Sequence, residues 1–374
     1  MNKRSALTII QATHASLDGR KSVGLLDRHR RLLQEYAKTF EVVVYSSDTT
    51  DYSAELGVAH KPVPWLPQGF GWRHLVFYLW LVWQAPRMKG VIKVFGSNIP
   101  TLPLVRWLSG RPMMVTYEWD YSRGTRLNEK TGLKHWLAPV LERLALATAD
   151  LVLVTTEWLG DKVRNVYHKR TVLLPNWVDL RQVETQDGAT ARSDCIVLYA
   201  GRLHWIKGVD VLVEAFAQAK RHQPQARLVI CGTGEEEERL RVQVKSLGLA
   251  GVEFRGRVPN AEVLRLMSSA AVSVLPTLTM EGHPKALIEA MACGAACVAS
   301  DVPGNRDVIA NGETGILVPP SDVGALSRVL ERLLSDRPLR DRLGQAARVE
   351  ASRYSFSDIV PRDVQALAAL DTTR

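Results

Sequence analysis

Glu281 and Glu289 bracket a forced helix start in the segment EGHPKALIE, and the types and spacing of these residues are the strongest chemical signal in the chain. Pro284 cannot continue a helix from its N-terminal side but suits the first helical position, so a helix begins near residue 284. Glu281 then lies on the loop before the first turn, and Glu289 sits inside the helix about 5 residues, or ~7.5 Å, further along the axis. The two acids address different parts of one ligand. Between them, Gly282 and His283 leave backbone N–H groups free at a helix N-terminus, which suits oxygen atoms and anions, and a sugar nucleotide offers both. A plainer reading makes Glu281 a partner of the helix dipole and Glu289 a solvated helix residue. The apolar run ALIEAMACG argues against it, because a carboxylate in buried company needs a bound partner.

The second signal is IVLYAGRLHWIKGVDVLVEAFAQAK, residues 196–220, where an apolar strand ends at Gly201 and a helical pattern begins after Gly208. Arg202 and Lys207 are therefore held on a short strand-to-helix connection. Two fixed cations there could hold a diphosphate, Arg as a flat fork and Lys as a point charge, whereas a surface loop with two solvated bases is the bland alternative. The spacing Gly-Arg-Leu-x3-Lys-Gly, about 80 residues before the Glu-x7-Glu pair, resembles the motifs of the retaining family 4 glycosyltransferases of GT-B fold.

That resemblance implies roles residue by residue. Arg202 and Lys207 would take the donor diphosphate, Glu281 and the backbone of Gly282, His283 and Pro284 the sugar hydroxyls, and Glu289 the ribose. Gly232 and Gly234 would lie close to the nucleotide, Gly201 at the head of the loop counts with the donor-binding residues, and His283 and Lys285 stand where the donor sugar is selected. The stretch CGTGEEEERL around Gly232 looks like a dinucleotide fingerprint but lacks the third glycine, and Thr233 capping a helix with an acidic first turn explains it better. LLPNWVD resembles the junction motif of the family with Trp177 in place of glycine, and Asn176 takes a structural role.

The first half departs from the family pattern. Where relatives carry a Gly-Gly turn after the opening strand, the loop THASLDGRKSVG has Gly19 followed by Arg20 and Lys21. Many relatives have a histidine after the strand that ends at Tyr117, whereas here EWDYSRGTR puts Glu118 or Asp120 in its place, either as a carboxylate that holds donor or acceptor hydroxyls or as the mark of a site that has lost turnover. His14, at another strand end, reads as structural.

These residues need rigid strands to position them. Strand and helix signals alternate down the 374 residues, more than one core usually accommodates, which predicts an α/β protein with two parallel sheets covered by helices. The expected strands are 6–11, 41–45, 91–95, 113–117, 151–155 and 172–174, then 196–200, 227–231, 252–255, 272–275, 296–299 and 315–318. The polar stretch 179–194 reads as a linker. The predicted domains are 1–178, an acceptor-binding Rossmann-like unit, and 195–356, a nucleotide-sugar-binding Rossmann-like unit. The family resemblance adds that they face across a cleft and that residues 357–374 return to the first domain.

Residues 1–178 hold 24 Lys plus Arg against 14 Asp plus Glu, a net of +10, while the remainder is at −1. Nine of the ten tryptophans lie in that basic half. Such a surface suits an anionic membrane, an anionic lipid-linked substrate or, least favoured, nucleic acid. The run LVFYLWLVW reads by itself as a core helix. No run reaches the length of a membrane span, and four cysteines without metal-ligand spacing suggest a reduced, cytoplasmic setting with at most peripheral contact with a membrane. The expected activity is retaining transfer of a sugar from a UDP- or GDP-sugar to an acceptor hydroxyl of a glycan or lipid-linked carrier. No cofactor is expected beyond that donor, and the absence of Asp-x-Asp points to a metal-independent reaction. A nucleotide-sugar-binding scaffold without turnover and a nucleic-acid glucosylating or binding protein are the competing readings.

Overall fold

The structure is a computed structural model that describes residues 4–11, 17–22, 26–65, 70–128, 132–185 and 192–372. The chain divides into two compact units, 1–175 with 360–374, and 176–359. In the first unit, the parallel strands are β1 (Ser5–Gln11), β2 (Phe40–Tyr45), β3 (Ala59–Lys61), β4 (Val91–Phe95), β5 (Met113–Tyr117), β6 (Leu151–Val154) and β7 (Thr171–Leu173). Their order in the sheet is β3-β2-β1-β4-β5-β6-β7, so the direction of winding reverses between β1 and β4. β3 escapes the sequence reading because three residues with one inward side chain, His60, give no alternation to detect.

The second unit carries β8 (Ile196–Ala200), β9 (Arg227–Cys231), β10 (Val252–Gly256), β11 (Val272–Leu275), β12 (Ala296–Ser300) and β13 (Ile316–Val318), ordered β10-β9-β8-β11-β12-β13. These strands too are parallel throughout, and their near-continuous apolar sequences follow from burial on both faces. Val197, Tyr199, Leu228 and Ile230 join one core cluster, while Leu198, Val229 and Cys231 join another, as the two-residue period of a strand requires. Winding reverses here between β8 and β11, which makes the carboxyl ends of those two strands the ligand-binding position of an open α/β sheet.

Several expectations need correction. Residues 179–185 are not linker: Asp179 caps a short helix, Leu180–Glu184, whose Val183 is buried in the core of the second unit. Arg192 donates to the carbonyl of Cys293 (2.9 Å), so 192–194 also belong to that unit, and residues 186–191 lie outside the described ones. The helix after β9 is Glu237–Ser246, with no side-chain cap, and Thr233 instead accepts the Leu203 N–H through its carbonyl at 3.0 Å. The core-helix reading of LVFYLWLVW holds for one face only of the helix Phe70–Gln84: Phe77 and Leu81 are buried, whereas Leu75, Leu79 and Trp83 are exposed. The last helix, Phe356–Asp371, begins within the second unit and continues into the first.

Candidate functional site

Four connections meet at the carboxyl ends of β8, β9, β11 and β12. After β8, Gly201 and Arg202 lead into a single 3₁₀ turn, Trp205–Lys207, and Gly208 closes it at φ +63. The turn is pinned from both sides. The His204 Nδ1 accepts the Ile206 N–H, and the Ile206 carbonyl accepts the Leu278 N–H at 2.8 Å from the loop after β11. A Cβ on Gly208 would sit 2.2 Å from the Pro276 carbonyl oxygen, so the loops touch backbone to backbone. The same holds for Gly232 after β9, at φ +137, where a Cβ would lie 1.8 Å from the Gly201 carbonyl oxygen.

This close approach brings the predicted charges together. Lys207 Nζ lies 2.5 Å from Glu281 Oε1, and Thr277 Oγ1 donates to the same oxygen at 2.6 Å. Glu281 is buried, and its carboxylate holds the Lys207 ammonium, itself one-fifth exposed, at the loop surface. Arg202 is exposed at the head of the same loop, and its carbonyl accepts a hydrogen bond of 2.8 Å from Tyr199 Oη. Burial pushes the Tyr199 phenol well above its ordinary range, and the nearby Glu281 carboxylate raises it further, so it acts as a neutral donor.

The helix start falls where the sequence places it. The helix runs Lys285–Ala292 with Pro284 at its N-cap, φ −76. Among the described residues, neither the Gly282 nor the His283 N–H has an intramolecular acceptor, while the His283 carbonyl is held by Asn176 Nδ2 at 2.7 Å. A Cβ on Gly304 would lie 2.2 Å from the Gly282 carbonyl oxygen, so the loop after β12 backs this stretch. His283 is buried against Tyr354, ring centroids 4.9 Å apart, and loss of hydration lowers its pKa to about 4. It is neutral at ordinary pH. Glu289 is buried as expected, and its carboxylate is paired with Lys285 one turn earlier at 3.5 Å rather than with Lys207.

In the first unit the candidates fare differently. Gly19 does not lie on an open glycine turn. It falls within a short helix, Leu17–Ser22, whose first N–H groups, of Leu17 and Asp18, already donate to the buried Asp48 carboxylate at 2.9 and 3.1 Å. His14 lies outside the described residues. Asp120 is committed to structure: it accepts the Arg123 N–H and pairs with Lys162 at 2.7 Å, and Lys162 also meets the buried Glu142 at 2.7 Å. Glu118, by contrast, is exposed directly after β5.

Sequence reasoning missed Thr277 and Tyr199. Thr277 precedes Glu281 by four residues in a loop without periodicity, and Tyr199 reads as one more apolar strand residue, so neither carries a local signal.

The family model described as "Glycosyl transferases group 1" matches residues 181–350, and that described as "Glycosyl transferase 4-like domain" matches residues 24–177. The chain is 32% identical over 252 residues to the exopolysaccharide phosphotransferase SCO2592 of Streptomyces coelicolor, covering 66% of this chain but 25% of that protein. It is 30% identical over 282 residues to the phosphatidyl-myo-inositol mannosyltransferase of Mycolicibacterium smegmatis, 74% of this chain and 70% of that one. The crystal structure of Anabaena Alr3699/HepE in complex with UDP and glucose superposes with a TM-score of 0.75 at 18% identity, covering 97% of this chain and 100% of that chain. With two doubly wound parallel units, and matches to both family models and to the mycobacterial relative, the chain belongs to the family 4 glycosyltransferases of GT-B fold.

Proposed function

We propose that the protein transfers a sugar, with retention of anomeric configuration, from a nucleoside diphosphate sugar to a hydroxyl of a lipid-linked or cell-envelope glycan. The observation that carries this reading is the Lys207–Glu281 contact at the sheet's switch point, beside the exposed Arg202. A donor diphosphate would draw on Arg202 and Lys207, whose charges stabilise the negative charge that develops as the nucleotide leaves. Glu281 and the N–H groups of Gly282 and His283 would then take the sugar hydroxyls, and Glu289 the ribose. A Cβ on Gly232 would run into the Gly201 carbonyl, so the two stay in backbone contact, and two positions without side chains would let the nucleotide come close.

In the proposed step the bond from the anomeric carbon to the diphosphate oxygen breaks and the acceptor oxygen bonds to that carbon on the same face. The acceptor's proton passes to the leaving phosphate, so no protein base and no metal is required. Glu118 is assigned to substrate hydroxyls on the first unit. Support from relatives is of two kinds: the Anabaena protein binds UDP and glucose, and the mycobacterial relative is named for a lipid acceptor. The membrane-side acceptor and peripheral attachment rest on the latter and on the basic first unit.

The test is nucleotide release from a panel of UDP-, GDP- and ADP-sugars in the presence of lipid-linked and soluble acceptors. Lys207→Ala and Glu281→Ala should each lower kcat/KM by about 10²–10³, the scale of losing one group that stabilises transition-state charge, in chains that still melt cooperatively. Wild-type rates in either variant would refute the roles, and tight nucleotide binding with silence across the whole panel would favour a scaffold without turnover.

A further inference from the structure

Three helices of the first unit, Phe70–Gln84, Leu102–Ser109 and Leu133–Thr148, are apolar on two opposite sides. Their inward sides, with Phe77, Leu81, Val105 and Leu146, pack into one core cluster, so all three cover the same face of the sheet. The middle helix touches both others. Outward, at helical spacing, stand Trp72, Leu79 and Trp83 on the first helix, Trp107 on the second, and Trp136 and Val140 on the third. Trp107 is 76% and Trp136 72% exposed, which no packing within the unit requires. Scattered apolar residues on a surface mean little, but three neighbouring helices with matching outward stripes form a continuous apolar face.

The charge around this face selects its partner. The three helices contain a single acidic residue, Glu142, and it is buried and paired with Lys162. Exposed bases flank the stripes: Arg73, Arg143 and Arg87, whose guanidinium stacks over the Trp83 ring at 4.5 Å. Asp150, just past the third helix, is exposed but paired with Arg106 of the second at 3.2 Å. Indole rings outward, arginines alongside and no exposed acid within the helices themselves is the composition of a surface that lies in the headgroup layer of an anionic bilayer. A second copy fits poorly, since two such faces would bring base against base. No helix among the described residues is long and apolar enough to cross a membrane. We infer that these helices form a monotopic docking face for anionic lipid, with the tryptophans inserted at headgroup depth and the arginines paired to lipid phosphates. The inference rests on the peripheral attachment proposed above and gives it a surface, but it does not depend on the transfer reaction, so vesicle binding and nucleotide release can fail separately.

The experiment uses the full chain and sedimentation with vesicles of phosphatidylcholine alone or with 30% phosphatidylglycerol, at low and high salt. Binding to the anionic vesicles, weakened by salt, is expected. The triple variant Trp72→Ser, Trp107→Ser, Trp136→Ser should bind at least tenfold more weakly, with unchanged UDP affinity. Arg73→Gln with Arg143→Gln should flatten the salt dependence. Should the triple variant fail to fold, quenching of wild-type tryptophan fluorescence by lipids brominated on the acyl chain replaces it, with quenching expected. Wild-type protein that ignores both vesicles, a folded triple variant that binds like wild type, a lack of quenching, or a dimer that the tryptophan changes dissociate would each overturn the assignment.

Discussion

At the level of single residues, the Lys207–Glu281 pair joins stability to the proposed chemistry. Glu281 is buried and Lys207 only partly so, and removing one partner of a buried pair leaves a charge with too few contacts. Thr277 remains to Glu281 when Lys207 is cut back, which keeps the cost to about 2 kcal/mol, within the 5–15 kcal/mol of ordinary folded stability. His283 makes a prediction of the opposite kind, in which the neutral form is what folding favours. Its folded pKa is about 4, whereas an unfolded chain protonates histidine near 6.5. Between those values the unfolded state binds more protons, so stability rises with pH, is complete above about 6.5, and is lost toward pH 4 by about 3 kcal/mol. Denaturant titrations of wild type and His283→Gln from pH 7.5 to 4.5 check this. The stability difference between them should shrink as pH falls, and a constant difference would remove histidine protonation as its source.

At the level of elements, the C-terminal helix is fixed to the first unit by charge as well as by packing. Lys93 of β4, almost fully buried, pairs with Asp363 of that helix, and Tyr36 Oη donates to the same carboxylate at 2.5 Å. Burial raises the Tyr36 phenol well above its ordinary pKa, with Asp363 adding to it, so the tyrosine stays a donor. Asp363→Ala strands the ammonium, and a loss of about 3–5 kcal/mol is expected. Lys93→Met with Asp363→Leu, which removes both charges, should recover most of that loss in chemical unfolding, and a double variant as unstable as the single one would show that shape, not charge, fixes the helix. None of this is legible in the sequence, because Lys93 sits in a strand of ordinary apolar pattern, 270 positions before its partner. The strands themselves are legible almost residue by residue, since burial on both faces writes a continuous apolar run such as Ile196–Ala200. Pro284 likewise marks its helix start within one position. What fails is whatever depends on three dimensions: β3 is too short for a period, Thr277 finds Glu281 only through loop geometry, and the outward tryptophans of helix 70–84 look like core until the opposite face is seen to be the buried one.

For the molecule as a whole, charge follows the division into units rather than the order of the chain. Residues 1–175 with 360–374 hold 26 Lys plus Arg against 16 Asp plus Glu, and residues 176–359 hold 22 against 23. The surplus of bases therefore belongs to the unit with the outward tryptophans, while the near-neutral unit holds the Lys207–Glu281 loops. A long-range positive field on the second unit is not what would bind a diphosphate there. In the proposed reading the work would fall to a few groups fixed in place, Arg202, Lys207 and the N–H groups at residues 282 and 283, which would act at contact distance where salt screens them least. Two outcomes follow on adding UDP to the full chain at 100 times its dissociation constant. The second unit should gain about 2.7 kcal/mol against unfolding, and its contact loops should show the slowing directly. Hydrogen exchange read by mass spectrometry should become slower at 201–208 and 281–286, with raised salt changing the UDP affinity only weakly. Slowing confined to residues of the first unit, or an affinity that collapses with salt, would place the nucleotide on the basic unit and remove the fixed-group account of its binding.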